Sequence, residues 1–243
     1  MESTPTSGTQ TPASTMSSTI DETSTSSVSE TEATTSTSTG RNLDFSTLQD
    51  LFPPAPSSAE QQLQQVPSSL WYILTTAVLL SFHKEKLTGA LWKYLAATNA
   101  DSPQNDKQLL GIARRIRESC LKASTLVGFP RAINALFSLQ ASITTTHPSL
   151  SSILATDTSL RAPLDPTAKY DRGMSFFRQI YTKHTTRVLS AMDSTSGGDL
   201  THFAINCIYG ELLSEHTIIG AQETGLLEFV CCLADGCGPQ AKG

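Results

Sequence analysis

The first 40 residues of this 243-residue chain contain no Lys or Arg and very few apolar side chains. Ser and Thr occupy 24 of these positions, and five more are acidic. Such a composition cannot bury enough apolar surface to offset the cost of ordering its backbone, about 1–2 kcal/mol per residue. The sequence therefore predicts a disordered Ser/Thr-rich leader over residues 1–45, open to phosphorylation, and then a Pro/Gln-rich linker over residues 46–66.

The leader also lacks the features of the common targeting segments. A secretory signal needs a basic start and an apolar run, and a mitochondrial transit peptide is rich in Arg and poor in acidic residues. The five cysteines of the chain are an odd number without disulfide-framework spacing, which suits a reducing compartment. We expect an intracellular protein, with the cytoplasm favoured and a mitochondrial location left open.

No apolar run is long enough to cross a membrane. The most apolar stretch, residues 70–80, is interrupted by Thr75 and Thr76 and falls short of the ~20 residues that a span needs. The net charge is −5 and the 17 basic residues are dispersed, which argues against a nucleic-acid surface. Arg114, Arg115 and Arg117 form a basic cluster that we expect to be a solvated helix face. The sequence predicts partners that include neither membrane nor nucleic acid.

Familiar catalytic and metal-binding motifs are absent as well. The sequence has no Gly-rich phosphate loop, no nucleophile elbow and no His-Glu-x-x-His. Cys231 and Cys232 are adjacent, so on a helix they point about 100° apart, and no second Cys pair or nearby His completes a zinc site with Cys237. Buried thiols that behave as small hydrophobic side chains are the expected state. We expect no cofactor and no metal.

Helical periodicity is what the sequence does have, from about residue 67 onward. One long pattern repeats apolar residues at spacings of three and four: Leu109, Ile112, Ala113, Ile116, Cys120, Ala123 and Val127. The pairs Ser102-Pro103 and Asp165-Pro166 are typical helix starts, and Gly128 is expected to end one helix before Pro130 begins the next. Residues 147–163, rich in Ser and Thr, are expected to form a loop. No run alternates as a strand, so residues 67–243 are predicted to form an all-α domain of about six or seven helices.

Residues 117–136 carry the most specific local pattern, with Arg117-Glu118, then Gly128-Phe129-Pro130, then Ala135-Leu136. This pattern resembles the helix–break–helix of the carboxymuconolactone decarboxylase family, whose superfamily includes the AhpD-type alkylhydroperoxidases. Weaker similarity continues over residues 172–181, 209–214, 224–233 and 239–243. The resemblance implies an AhpD-like helical bundle that assembles into a homo-oligomer, with a possible small-molecule ligand.

The peroxidase branch of that family uses a glutamate relay, a Cys-x-x-Cys pair and a histidine four residues after the second thiol. In this sequence Cys237 stands at the first thiol position, but Gln240 occupies the second and Gly225 occupies the relay position, between Glu223 and Glu228. The histidine would follow the last residue of the sequence. The resemblance therefore implies a divergent, C-terminally short member.

The leading hypothesis is a catalytically degenerate protein of this type that binds a small molecule or has a structural role as an oligomer. The alternative is a thiol-dependent peroxidase or oxidoreductase that uses Cys237. A decarboxylase-like acid–base reaction would draw on Glu118 or Glu223, with Arg117 as an anion clamp. Glu118 has a competing explanation as a surface carboxylate paired with Arg114 or Lys122 at four-residue spacing.

We expect no peroxide-dependent turnover. A sulfenic acid at Cys237 would need a resolving thiol. Cys231 and Cys232 could supply one only if the turn at Asp235-Gly236 folds back tightly.

Overall fold

Every regular element in the computed structural model of this chain is helical, within the residues that the structure describes: 43–52, 69–100, 105–158 and 163–238. No strand occurs among these residues, which confirms the predicted all-helical class. The predicted leader up to residue 42, most of the predicted linker and the Ser102-Pro103 start lie outside them. Within the same ranges, no helix has the length and apolar character needed to cross a membrane.

The helices are numbered here in chain order. They are α1 (Phe45–Asp50), α2 (Leu70–Ser81), α3 (Thr88–Thr98), α4 (Asn105–Val127), α5 (Phe129–Thr146), α6 (Pro148–Thr156), α7 (Pro166–Tyr181), α8 (Thr185–Ser196), α9 (Asp199–His202), the π-helix π1 (Phe203–Leu213) and α10 (Ala221–Ala234).

Helix α2 is the central helix of the main core. Its side chains are buried on nearly all sides, because α4 and α10 pack against it directly. The hydroxyl groups of Thr75 and Thr76, which interrupt the apolar run, donate to the carbonyls of Trp71 and Tyr72 one turn earlier, at 2.7 and 2.8 Å. These two hydroxyl groups are therefore satisfied inside the core.

Helix α4 follows its sequence pattern closely. All seven apolar residues of the predicted stripe are buried. The helix ends at Val127, where Gly128 adopts a φ of 96°, a value that favours glycine, and Pro130 then lies in the first turn of α5. The second predicted start is also confirmed, because the Asp165 carboxylate accepts hydrogen bonds from the backbone of Thr167 and Ala168.

Two short helices lie where the sequence did not predict them. Helix α1 falls at the border of the predicted leader and linker, and its Phe45 packs against the ring of Tyr94. Helix α6 lies in the stretch 147–163, so the prediction of a loop there was wrong for residues 148–156. Pro148 begins α6, and Leu150 and Leu154 bury its inner face, so tertiary packing outweighs the Ser/Thr composition.

A second, smaller apolar cluster forms where α7 packs against π1. It contains Met174, Phe176, Phe177, Ile205, Tyr209 and Leu213. Two glycines allow the close approach of these helices: a β-carbon on Gly173 would lie 2.2 Å from the Ile205 carbonyl oxygen and 2.8 Å from the Gly210 nitrogen. This packing brings π1 and α7 over one face of α10, and the candidate site lies there.

Candidate functional site

The three residues selected from the sequence, Glu118, Glu223 and Cys237, occupy three different environments. Glu223 lies in the first turn of α10 and Cys237 lies beyond its last turn. At 1.5 Å per residue, the length of α10 between them is about 17 Å. Glu118 belongs to α4. The structure therefore does not gather these residues into one site.

Glu223 has structural partners on both carboxylate oxygens. Oε2 accepts a hydrogen bond from the backbone N–H of Gly220 at 2.9 Å, which caps α10. Oε1 accepts from the Arg115 guanidinium and from the Ser69 hydroxyl, the latter at 3.2 Å. Arg115 also donates to the Ile218 carbonyl at 2.7 Å. This carboxylate is occupied in joining α4, α2 and α10.

The remaining basic cluster is also engaged rather than freely solvated. The guanidinium groups of Arg114 and Arg117 each donate to the Asp157 carboxylate at 2.8 Å. Arg117 donates in addition to the Leu154 carbonyl at 3.0 Å. These contacts hold the end of α6 against α4. Arg117, the residue predicted to bind an anion, therefore already has a carboxylate and a carbonyl as partners.

Glu118 pairs with Lys122, one of the two partners that the spacing suggested, but the pair is buried rather than on the surface. Both side chains have no exposed area, and Lys122 Nζ lies 3.6 Å from Glu118 Oε1. No hydrogen bond within 3.5 Å reaches either oxygen of Glu118 from the described residues. Burial raises the pKa of Glu118 to about 7, although the nearby ammonium opposes that rise.

Lys122 holds the segment between π1 and α10. Its ammonium lies within hydrogen-bonding distance of the carbonyls of Leu213, Glu215 and Ile219, at 3.3, 2.6 and 3.4 Å, and of the Thr224 hydroxyl at 2.8 Å. Burial lowers the pKa of Lys122, with the neighbouring carboxylates acting in the opposite direction. The Glu118–Lys122 pair is thus a buried anchor for the segment between π1 and α10.

The site itself is a cleft of about 560 Å³ between α7, π1 and α10. Its walls are mainly apolar and aromatic, and include Phe176, Ile180, Leu226 and Phe229. Gly225 lets Ile180 of α7 lie close to the backbone of α10 in this wall, since a β-carbon there would be only 3.2 Å from the Ile180 Cδ1. Volumes of about 300–1,000 Å³ with this mixture of lining residues are typical of small-molecule sites.

Glu228 is the charged residue that lines this cleft. Tyr209 donates a hydrogen bond to its Oε2 at 3.2 Å, whereas Oε1 is buried and has no hydrogen-bond partner among the described residues. Burial raises the pKa of Glu228 to about 7 and raises the pKa of Tyr209 above its ordinary range. Near neutral pH the cleft therefore has one carboxyl group that can donate or accept a hydrogen bond, and the Tyr209 phenol already donates to that group.

In the sequence, Glu228 stands out only as a neighbour of Gly225. The signal that could have selected it is spacing: Gly225, Glu228 and Cys232 lie three and four residues apart, on one face of α10. All three line the cleft. That face is buried because α7 and π1 pack over it, and the local sequence of α10 does not predict this packing.

Cys231 and Cys232 are buried as expected, and so is Cys120, but the expectation of a buried thiol was wrong for Cys237. Burial raises the pKa of both Cys120 and Cys231 to about 12, and that of Cys232 to about 11. Cys237 is exposed. Across the described ranges, no group of three or more His, Cys, Asp or Glu side chains is placed to hold a metal ion. Gln240 lies outside the described residues.

The comparisons with known proteins identify two relatives with the same name. The chain is 33% identical to Peroxisomal protein 2 of Schizosaccharomyces pombe, over 53% of this chain and 56% of that protein. It is 30% identical to Peroxisomal protein 2 of Saccharomyces cerevisiae, over 54% of this chain and 52% of that protein. The chain thus spans about half the length of the curated relatives it matches.

No family model matches the chain, so none supports the resemblance to the carboxymuconolactone decarboxylase family. No solved structure matches it significantly either. The expectation of a cytoplasmic or mitochondrial location was wrong, because both relatives are called peroxisomal proteins.

Proposed function

We propose that this chain is a small-molecule-binding helical protein whose ligand occupies the cleft between α7, π1 and α10. The observation that carries this proposal is Glu228 Oε1, a buried carboxylate oxygen at the cleft without a hydrogen-bond partner among the described residues. Leaving such an atom unpaired costs about 1–3 kcal/mol or more. This oxygen has no exposed surface in the structure, so a ligand recovers that cost when the Glu228 side chain turns toward the cleft on binding.

The lining defines the class of ligand. The apolar walls favour a hydrophobic body, and Glu228 with Tyr209 favours one polar group at its end. A carboxyl group with a pKa of about 7 accepts from a hydroxyl when ionised and donates to a carbonyl when protonated. The proposed ligand is therefore an apolar molecule with one hydroxyl or carbonyl group.

The arrangement supports binding better than the thiol-peroxidase alternative. Glu223 is engaged by Arg115, Ser69 and Gly220, and it lies at the opposite end of α10 from Cys237. A proton relay between Glu223 and that thiol has no geometric basis. Within this proposal, the carboxymuconolactone decarboxylase resemblance reflects a related helical scaffold that lacks the thiol motif of the peroxidase branch.

The names of the two relatives support a peroxisomal location for this chain. Self-association also belongs to the proposal. Phe129, Ile133 and Phe137 are exposed at four-residue spacing on one face of α5, an apolar stripe of the kind that a subunit contact covers.

The test is a binding titration with 2-naphthol, an aromatic molecule with one hydroxyl, followed by its fluorescence. Gly225→Leu places a side chain in the cleft, and we expect it to weaken binding at least about tenfold, or about 1.4 kcal/mol. Gly111→Leu is the matched control, since Gly111 lines a separate cavity between α2 and α4. Equal affinities in the wild type and Gly225→Leu, with both folded by thermal melt, would contradict the proposal.

A further inference from the structure

The end of α10 folds back on itself. The N–H of Cys237 donates to the carbonyl of Cys232 at 2.8 Å, and the N–H of Gly236 donates to the carbonyl of Leu233 at 3.2 Å. Gly236 has a φ of 72°. These two bonds and the left-handed glycine define a Schellman turn, in which the residues at the positions of Cys232 and Cys237 regularly contact one another.

The turn therefore brings the backbones of Cys232 and Cys237 together, although four residues lie between them. A disulfide needs α-carbons roughly 4.4–6.8 Å apart, a range that suits residues closed by such a hydrogen bond. The two thiols differ in access: Cys237 is exposed, whereas Cys232 is buried and lines the cleft. Cys231, the adjacent cysteine, is fully buried in the main core instead.

We propose that Cys232 and Cys237 form a reversible dithiol–disulfide pair, oxidised by a low-molecular-weight disulfide. The Cys237 thiolate attacks one sulfur of that disulfide, whose S–S bond breaks and releases a thiolate that takes up a proton. Cys232 then loses its proton and attacks the Cys237 sulfur, and the second thiol leaves. The protein gives up two electrons and two protons, and the small disulfide is reduced to two thiols.

The assignment of roles follows from burial. The exposed Cys237 meets the oxidant first, and Cys232 resolves the mixed disulfide from inside. Burial raises the pKa of Cys232 to about 11, so its attack is slow and the pair reports on redox conditions rather than on rapid turnover.

The short ring favours reversibility. A disulfide stabilises a fold chiefly by restricting the unfolded chain, and that effect is smallest for a short loop. We therefore expect a Cys232–Cys237 disulfide, which closes a short loop and has one exposed sulfur, to be reduced more easily than a structural disulfide.

The test is equilibration of the full chain in buffers of oxidised and reduced glutathione, quenched with acid and analysed by mass spectrometry and peptide mapping. The wild type should lose two hydrogens through a Cys232–Cys237 bridge, and excess reduced glutathione should restore them. Cys232→Ser should stop at a glutathione adduct on Cys237. Cys207→Ser, which removes an exposed cysteine of π1, should behave as the wild type.

Gly236→Val tests the turn, because a β-branched residue disfavours the left-handed conformation. It should lower the bridged fraction several-fold at the same glutathione ratio. Accumulation of glutathione adducts on the wild type without an internal bridge would overturn the proposal. So would a bridge mapped to Cys231, or an unchanged bridged fraction in Gly236→Val.

Discussion

Glu118 and Glu228, two of the three glutamates that are buried among the described residues, have neighbours of different kinds. Glu118 lies against the Lys122 ammonium inside the fold, and neither side chain has exposed area. Glu228 lies at the wall of the cleft and accepts one hydrogen bond, from Tyr209. Their pKa values rise alike, to about 7, because burial dominates in both. Of the two, it is Glu228 that lines the cleft between α7, π1 and α10.

Glu228→Gln should stabilise the protein at alkaline pH. In the folded state the pKa of Glu228 rises from 4.5 to about 7, so the native form binds more protons than the unfolded form between these values. The contribution of this carboxyl group to the free energy of unfolding is therefore fully present below pH 4.5. It is lost as the pH rises to 7, and the loss is up to about 3 kcal/mol. The neutral amide should remove that loss at pH 8 and change little at pH 4.

The measurement is urea unfolding of wild type and variant across this pH range. Asp193→Asn, at an exposed position of α8, is the control and should leave the profile unchanged. If the free energy of unfolding of Glu228→Gln depends on pH as that of the wild type does, then folding does not raise the pKa of Glu228 and the prediction is wrong.

Lys122→Met should destabilise the fold strongly. It removes the ammonium that holds the carbonyls between π1 and α10, and it leaves Glu118 without its counter-charge. Breaking one partner of a buried pair costs about 3–5 kcal/mol, measurable by urea unfolding at pH 8. Adding Glu118→Gln should recover part of the loss. A variant within about 1 kcal/mol of wild type would contradict the role of Lys122 as an anchor.

At the scale of the elements, Gly173 controls the approach of α7 to π1. A methyl group there would lie 2.2 Å from the Ile205 carbonyl oxygen, so the backbones must separate. We expect Gly173→Ala to lower the free energy of unfolding by about 2 kcal/mol or more, within the range for overpacked cores. Gly111→Ala, in open space within α4, should instead raise it by about 0.5–1 kcal/mol. Denaturant melts that show the same effect for both alanines would contradict this account of the interface.

The positions of the helices could be predicted from the sequence where nearby residues determine where a helix begins, ends or is buried. The apolar stripe of α4, the glycine that ends it and the Asp165-Pro166 start are all visible in the sequence. Helix α6 was not, because its composition is that of a loop and its stability comes from Leu150 and Leu154 packing into the core.

The candidate site was less predictable than the helices. The four-residue spacing of Glu118 and Lys122 indicated their pairing, but not that the pair is buried. Glu228 resembles any helix carboxylate in the sequence, and only the packing of α7 and π1 over α10 makes it distinctive. Such long-range burial cannot be read from spacing within one helix.

At the scale of the whole molecule, the exposed stripe on α5 predicts self-association. Phe137 is 71% exposed, so Phe137→Asp should shift the assembly toward the monomer in light scattering without lowering the melting temperature of the subunit. Leu51→Asp is the matched control, since Leu51 is also 71% exposed but lies outside the stripe. A wild type that scatters as a monomer at all concentrations would contradict the prediction.

The proposed ligand occupies the cleft between α7, π1 and α10. The chain offers an isoleucine reporter in each of three cavities: Ile180 in this cleft, Ile112 in the cavity between α2 and α4, and Ile133 in the groove along α5. Methyl NMR of isoleucine-labelled protein, titrated with 2-naphthol, compares them in one experiment. We predict that the Ile180 methyl signals shift in a saturable way while those of Ile112 and Ile133 stay in place. Saturable shifts at Ile112 or Ile133, with Ile180 unmoved, would contradict the account.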